Sequence, residues 1–242
     1  NYGRLPVSFD HGQGVWLWDK EGHKYLDALA GIAVNSVGHA HPRLVRAIAD
    51  QASKLIHCSN YFNIDLQEQV AEKLVEHSGL EAVFFCNSGL EANECAIKIA
   101  RKFGHAKGIE VPNIIVLKHA FHGRSIATLS ATGNPSVRAD FSPYTEGFIF
   151  VDESDLDGIR KIVEENKNVV AIFFEPILGE GGVVPIDLSV IKGIREICDE
   201  HDLLMMCDEV QCGMGRSGKW FAHQWAEIKP DVITMAKGLA GG

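Results

Sequence analysis

Short apolar runs that do not alternate with polar residues dominate the middle of this chain, and they constrain its fold more than any other feature. Residues 82–86, 114–117, 148–151, 169–174, 203–207 and 232–235 are such runs. A strand covered on both faces reads this way, whereas a strand with one wet face alternates. Between the runs, apolar residues recur at helical spacing. One stripe is Leu66, Val70 and Leu74; a second is Ala92, Cys95, Ala96, Ile99, Ala100 and Phe103; a third is Val190, Ile191, Ile194, Ile197 and Cys198. Asp65 with Glu68, and Ser88 with Glu91, supply capping-box starts, and Asp187 opens the third helix. Strands alternating with helices predict an α/β protein, with a mostly parallel central sheet sandwiched by helices.

The first 45 residues depart from that pattern. They hold Gly12, Gly14, Gly22 and Gly31, the pair Trp16 and Trp18, and a turn sequence from Gly38 to Pro42. They read as a strand-rich arm of a smaller subdomain. The expected organisation is residues 1–45 as the N-terminal segment of a small domain and residues 46–242 as a large domain.

Composition narrows the partners. The net charge of -9 disfavours nucleic acid and anionic lipid. No apolar run approaches the ~18 residues that span a bilayer, so no membrane segment is expected. No signal peptide is visible, and a chain that starts without Met is expected to lack an N-terminal piece. Six cysteines without a CxxC pair predict reduced, mostly buried thiols in a cytosol-like compartment. His39 with His41, and His119 with His122, lack a neighbouring ligand set at zinc spacing, so no metal is expected.

Several segments after strands could carry chemistry. At Ser88-Gly89-Leu90 a helix begins, and its free amides suit a phosphate; a well-capped helix explains the same residues. Asp208 follows an apolar strand at the sheet's carboxyl edge, where ligands bind in open α/β sheets; it suits a cationic ring nitrogen, a metal or a turn cap. Gly213, Gly215 and Gly218 spell a dinucleotide fingerprint but follow no strand and open no helix, so that reading is rejected. Lys237 ends a strand; partial burial would free its amine as a nucleophile, and solvent exposure would leave it a plain surface lysine. Arg124 beside Phe121, and Glu180 among glycines, suit a substrate clamp or a surface ion pair.

Order and spacing join these segments. Asn-Ser-Gly-x-Glu-Ala-Asn-Glu at 87–94, Phe-His-Gly-Arg at 121–124, Glu-Pro-Ile-x-Gly-Glu-Gly-Gly at 175–182, Asp-Glu-Val-Gln-x-Gly-x-Gly-Arg at 208–216 and Ala-Lys-Gly-Leu at 236–239 stand in one order. In this the sequence resembles the class III, or ω-, aminotransferases of fold-type I, which depend on pyridoxal 5'-phosphate. The resemblance covers essentially the whole chain. It implies that Lys237 bonds the cofactor as a Schiff base and serves as the base, and that Asp208 faces its ring nitrogen. It further implies Gln211 at the ring hydroxyl, Val210 and Phe121 on the two ring faces, and Ser88, Gly89 and Leu90 at the phosphate. Arg124 would take the substrate carboxylate and Glu180 would switch partners between the two substrates.

Within the class, the stretch from Gly31 to Pro42 is similar to the acetylornithine aminotransferase subgroup. Ornithine aminotransferases tend to carry tyrosine where Gly31 stands, and a small residue leaves room for an N-acylated substrate. The implied activity moves the terminal amine of N-acetylornithine to 2-oxoglutarate, in arginine biosynthesis, in a cytoplasmic homodimer. Ornithine, 4-aminobutyrate or succinyl-diaminopimelate as donor, or a truncated non-catalytic fragment, are the alternatives. Leu90 departs from a family position more often small or hydroxylated, Ala240 replaces a common glycine, and the family's C-terminal small domain is expected to be absent from this chain.

Overall fold

A computed structural model describes residues 3–241; residues 1, 2 and 242, the outer ends of the two expected domain segments, lie outside the described residues. Contacts divide the chain into two units, one of Asn1–Val70 with Lys237–Gly242 and one of Ala71–Ala236.

The first unit opens with an antiparallel meander of β1 (Phe9–Gln13), β2 (Trp16–Asp19) and β3 (Lys24–Leu26). The Lys24 ammonium lies 4.0 Å from the Trp16 ring centroid, so this tryptophan packs against its own ribbon. Asp19 accepts from the N–H groups of Glu21 and His23, from the Tyr25 hydroxyl and from the His23 ring, which ties the β2–β3 turn together. The single turn α1 (Ala30–Ala33) winds left-handed: Ala30, Gly31, Ile32 and Ala33 all have positive φ. Only glycine adopts that conformation freely, so Gly31 at φ 64° is where the turn is least strained. Pro42 begins α2 (Pro42–Ala52), a position where its missing N–H costs nothing. In α3 (Asp65–Ser78), Asp65 and Glu68 lie in the first turn, but of the expected stripe only Leu74 is buried.

The second unit contains α4 (Gly89–Ala106), β4 (Asn113–Leu117), α5 (Ile126–Ala131), α6 (Pro135–Arg138), β5 (Phe148–Val151), α7 (Leu156–Glu165), β6 (Val169–Phe174), β7 (Ile177–Leu178), β8 (Val184–Pro185), α8 (Leu188–His201), β9 (Leu204–Asp208) and β10 (Val232–Thr234). Five of these strands form one parallel sheet in the order β10-β9-β6-β4-β5, as the apolar runs predicted. Every residue of β6 is buried, which is why its sequence shows no alternation. The two faces still divide. Ile114, Val116 and Phe173 pack in the core beneath α4, whereas Ile115, Leu117, Ile172 and Phe174 pack in the core that includes residues of α7 and α8.

Two expectations need correction. Residues 82–86 form no strand: among the described residues no ladder partner pairs with them, and Phe84 is left 70% exposed. An apolar run needs a hydrogen-bonded neighbour before it becomes a strand. The buried stripe of α4 is Gly89, Asn93, Ala96, Ile97, Ala100 and Gly104, rotated from the stripe read in the sequence. Glycine and asparagine were invisible to a count of apolar residues, yet they face inward. A Cβ on Gly104 would lie 2.8 Å from the side chains of both Pro112 and Val170, so the helix backbone packs directly on them.

All six cysteines are free, but only Cys198, Cys207 and Cys212 are buried, and Cys86 is exposed. Among the described residues no helix is long and apolar enough to cross a membrane.

The strand order creates a switch point. From β4 the chain goes outward to β5, then returns across β4 to β6 and continues through β9 to β10. Connections after β4 and β6 therefore leave in opposite directions, opening a crevice at their carboxyl ends.

Glu209 anchors the loop that follows β9. Fully buried, it accepts from the N–H groups of Ala222 (2.9 Å) and His223 (2.8 Å), from His223 Nδ1 (2.9 Å) and from the Cys212 thiol (3.0 Å). Glu209→Ala would strand these donors without an acceptor, at a cost on the order of 3 kcal/mol. The expected result is a lower urea midpoint for unfolding; an unchanged midpoint would show the anchor to be dispensable.

Candidate active site

Three strand ends meet at the crevice, and each delivers a polar group. Asp208 closes β9 and is 2% exposed. Its Oδ2 accepts from Asn93 Nδ2 at 2.7 Å and from His122 Nδ1 at 2.8 Å. Its Oδ1 accepts from the Val210 N–H at 3.0 Å and from the Thr234 hydroxyl at 3.3 Å. The donors come from α4, the loop after β4, the loop after β9 and β10. A buried carboxylate is costly unless such donors surround it, and here they hold it in one orientation. The His122 ring stacks on Phe173 with centroids 4.1 Å apart. Its Nδ1 proton serves Asp208, leaving Nε2 buried and, among the described residues, without a hydrogen-bond partner, as is Asn93 Oδ1.

Helix α4 starts against the same loop. A Cβ on Gly89 would lie 2.7 Å from Val210 Cγ1 and 3.2 Å from Ala236 Cβ, so only glycine lets the helix start approach so closely. Ser88 caps the helix by accepting from the Glu91 N–H at 3.2 Å. The expected reciprocal bond is displaced by one residue, because the Glu91 carboxylate takes the N–H of Asn87 instead of that of Ser88. Among the described residues no acceptor takes the amides of Gly89 and Leu90, the first two of an 18-residue helix. Their dipoles therefore remain available to an anion.

Glu175 follows β6. Its Oε1 accepts from the Phe121 N–H at 2.7 Å and its Oε2 from the Gly179 N–H at 3.1 Å. Burial pushes this carboxyl up to about 7, helped by the Asp208 charge and opposed by His122 and the two N–H groups. Gly179 makes room for Gln211: a Cβ there would stand 1.6 Å from Gln211 Oε1. The Arg124 guanidinium lies 5.5 Å from the centroid of the Phe121 ring. Exposed Glu180 accepts from Asn134 Nδ2 at 3.3 Å, and among the described residues it forms no ion pair with Arg124.

Of the sequence-predicted residues, Asp208, Val210 and Gly89 are linked by direct contact, with Ser88 and Leu90 at the same helix start. Phe121, Arg124 and Gln211 group around Glu175 and Gly179. Lys237 belongs to the first unit, where it begins a single 3-10 turn, Lys237–Leu239, with φ 41°. That conformation is uncommon for a non-glycine residue and collects at functional positions. The residue before it, Ala236, packs beside Gly89.

Compared with known families, the sequence matches the one described as aminotransferase class-III over residues 1–242. The chain belongs to the class-III aminotransferases. Among their curated members it is 54% identical to the acetylornithine aminotransferase of Nitrosomonas europaea over 241 residues, covering 100% of this chain and 61% of that protein. Among solved structures it is similar to N-acetylornithine aminotransferase from Stenotrophomonas maltophilia K279a, with 40% identity and a TM-score of 0.86, covering 100% of this chain and 61% of that one. It is also similar to an ornithine aminotransferase from Toxoplasma gondii, with 33% identity and a TM-score of 0.92 over 98% of this chain and 57% of that one; that structure shows partial occupancy of PLP at its active site. The chain thus spans about three fifths of the length of the relatives it matches. The α/β architecture with its parallel central sheet is that of the fold-type I aminotransferases.

Five site residues of this class-III aminotransferase escaped the sequence reading: Asn93, His122, Thr234, Glu175 and Asn134. The first three surround Asp208; the other two hold Phe121 with Gly179, and Glu180. Asn93 had a usable signal, since it lies four residues beyond Gly89 on a helix face otherwise made of small and apolar residues. A polar side chain on such a face must find a partner. His122 and Glu175 lie inside recognised motifs but make contacts 86 and 54 residues away in sequence, which spacing does not reveal.

Proposed function

We propose that the whole protein is a pyridoxal-phosphate-dependent aminotransferase that moves the terminal amine of N-acetylornithine to 2-oxoglutarate. The observation that carries this reading is the Asp208 cluster: a buried carboxylate with four donors, at the switch point, beside a helix start with unused amides. This donor set fits the cofactor's chemistry at both ends, a cationic ring nitrogen for Asp208 and a phosphate for Ser88, Gly89 and Leu90. The site's residues therefore suit the group.

When bound, pyridoxal phosphate supplies an electron sink for the negative charge left on the substrate carbon after proton loss. The remaining roles belong to the chain. Lys237 would hold the cofactor through its amine and, when that amine is free, would act as the base that carries a proton between carbons. Asp208 would keep a proton on the ring nitrogen through a charge-assisted hydrogen bond. Asn93, His122, Val210 and Thr234 prevent that carboxylate from turning away. Phe121 and Val210 would enclose the ring, and Gln211 would meet its hydroxyl. Arg124 offers a planar fork to the substrate carboxylate, and Glu180, held by Asn134, stands ready to exchange partners between donor and acceptor.

A donor panel with 2-oxoglutarate tests the substrate. N-acetylornithine is expected to give the highest kcat/KM; preference for free ornithine or 4-aminobutyrate would reassign the enzyme within its class. Gly31 provides a second check. A Cβ at Gly31 would meet Asn35 and Val34 at ordinary contact distance, but Gly31→Tyr forces φ 64° on a bulky residue. Selectivity for N-acetylornithine over ornithine is expected to fall roughly tenfold or more as the acyl pocket fills. Unchanged selectivity would remove Gly31 from substrate recognition.

The same reading assigns the protein to arginine biosynthesis in the cytoplasm, as a homodimer, with residues 1–45 belonging to a small domain and residues 46–242 to the cofactor-binding domain. Sedimentation at micromolar concentration tests the dimer.

A further inference from the structure

Glu175 stands at the end of β6, in the gap between the ends of β4 and β9, and is 5% exposed. Its two oxygens serve two different loops. Oε1 holds the amide of Phe121, the residue before His122, at 2.7 Å; Oε2 holds the amide of Gly179, on which Gln211 rests, at 3.1 Å. A side chain that caps only its own turn would satisfy local amides alone. This one reaches across 54 residues of sequence, and it remains a carboxylate where an apolar residue would be buried at far lower cost.

We propose that Glu175 is a positioning residue: by clamping the amides of Phe121 and Gly179 together, it sets the Phe121 ring and the Gln211 amide in place to receive the cofactor. The proposal rests on the assignment of those two side chains to cofactor contacts made above.

The clamp depends on the charge of the carboxylate. The ionisable groups that face it are Asp208 at the end of β9 and His122 in the loop after β4. Burial first, and Asp208 second, push its carboxyl from the ordinary 4.5 to about 7. Because the folded-state value is the higher one, this group's contribution to stability is present below 4.5 and is lost as pH rises to about 7. The clamp runs the other way. Below that range one oxygen carries a proton and the two amides are held weakly; above it both oxygens accept with a full charge. Ionised Glu175 therefore gives up some stability to hold the two loops together.

Hydrogen exchange on the full chain without cofactor, corrected for intrinsic rates, tests the clamp. Wild-type peptides covering residues 119–124 and 176–182 are expected to be better protected above pH 7 than below it, with pyridoxal phosphate binding, read by tryptophan fluorescence, tightening over the same interval. Glu175→Gln offers one acceptor and no charge. Its profile should be flat across this interval, and its affinity for pyridoxal phosphate should be weaker on the order of tenfold. Glu175→Asp, which keeps the charge on a shorter arm, should restore the pH dependence in part. Wild-type protection and binding profiles in Glu175→Gln would overturn the proposal. Should that variant not fold, corrected wild-type protection that does not change with pH would overturn it equally. A wild-type protein that takes up no pyridoxal phosphate would instead overturn the functional reading, while the exchange profile still decides the clamp.

Discussion

On the proposed assignment, Lys237→Ala is expected to lower transamination by roughly four orders of magnitude, because one amine would perform two tasks. It would hold the cofactor, and it would move the proton. Lys237→Arg should do no better, since a guanidinium stays protonated at any working pH and cannot act as a base. The fold should survive both changes, for the parallel sheet is complete at Thr234, before this residue. Cofactor affinity should fall less than activity, since the contacts proposed for Asp208 and the start of α4 would remain. Borohydride treatment of the loaded wild type should leave the cofactor mass on the peptide containing Lys237, and should leave none there in the alanine variant. A variant retaining more than a tenth of wild-type kcat would dismiss the assignment.

On the same assignment, Asp208→Asn should lower kcat by about three orders of magnitude at saturating cofactor, through loss of the charge that would keep the ring nitrogen protonated. The change is nearly isosteric but cannot satisfy the site. An amide has one oxygen and one NH2, whereas Asp208 faces donors on both sides: Asn93 and His122 at one oxygen, Val210 and Thr234 at the other. Either orientation turns an NH2 toward two donors. The folded state should therefore also lose about 2 kcal/mol, measurable as a lower urea midpoint. A kcat within fivefold of the wild type would show that this carboxylate does not tune the cofactor, whatever its part in folding.

The two variants probe features that differed in how readable they were. Lys237 and Asp208 stood in motifs whose order along the chain was itself the signal. Nothing in the sequence said that Asp208 would be gripped by four donors, because those donors are 2, 26, 86 and 115 residues away. Glu175 shows the same gap: it was read as the first letter of a motif, and its action on Phe121 appears only when the ends of β4 and β6 lie side by side.

The strands show where local reading succeeds and where it stops. β5 and β6 begin and end where the apolar runs predicted, since a strand buried on both faces must be apolar along its whole length. Residues 82–86 have the same composition and form no strand, because composition does not supply a neighbour. On α4, counting apolar residues misplaced the buried face by part of a turn, since glycine at 89 and 104 packs inward through its lack of a side chain.

By itself the sequence determined the α/β class, the parallel sheet, the helix cap at Ser88 and the family, because each is written in short-range patterns of burial, capping and motif order. Only the tertiary structure decided the strand order, and with it the switch point that gathers His122, Glu175 and Asp208 into one crevice. Hydrogen bonds and close packing act over a few ångströms, and the residues they join are separated along the chain by distances that only the finished fold removes.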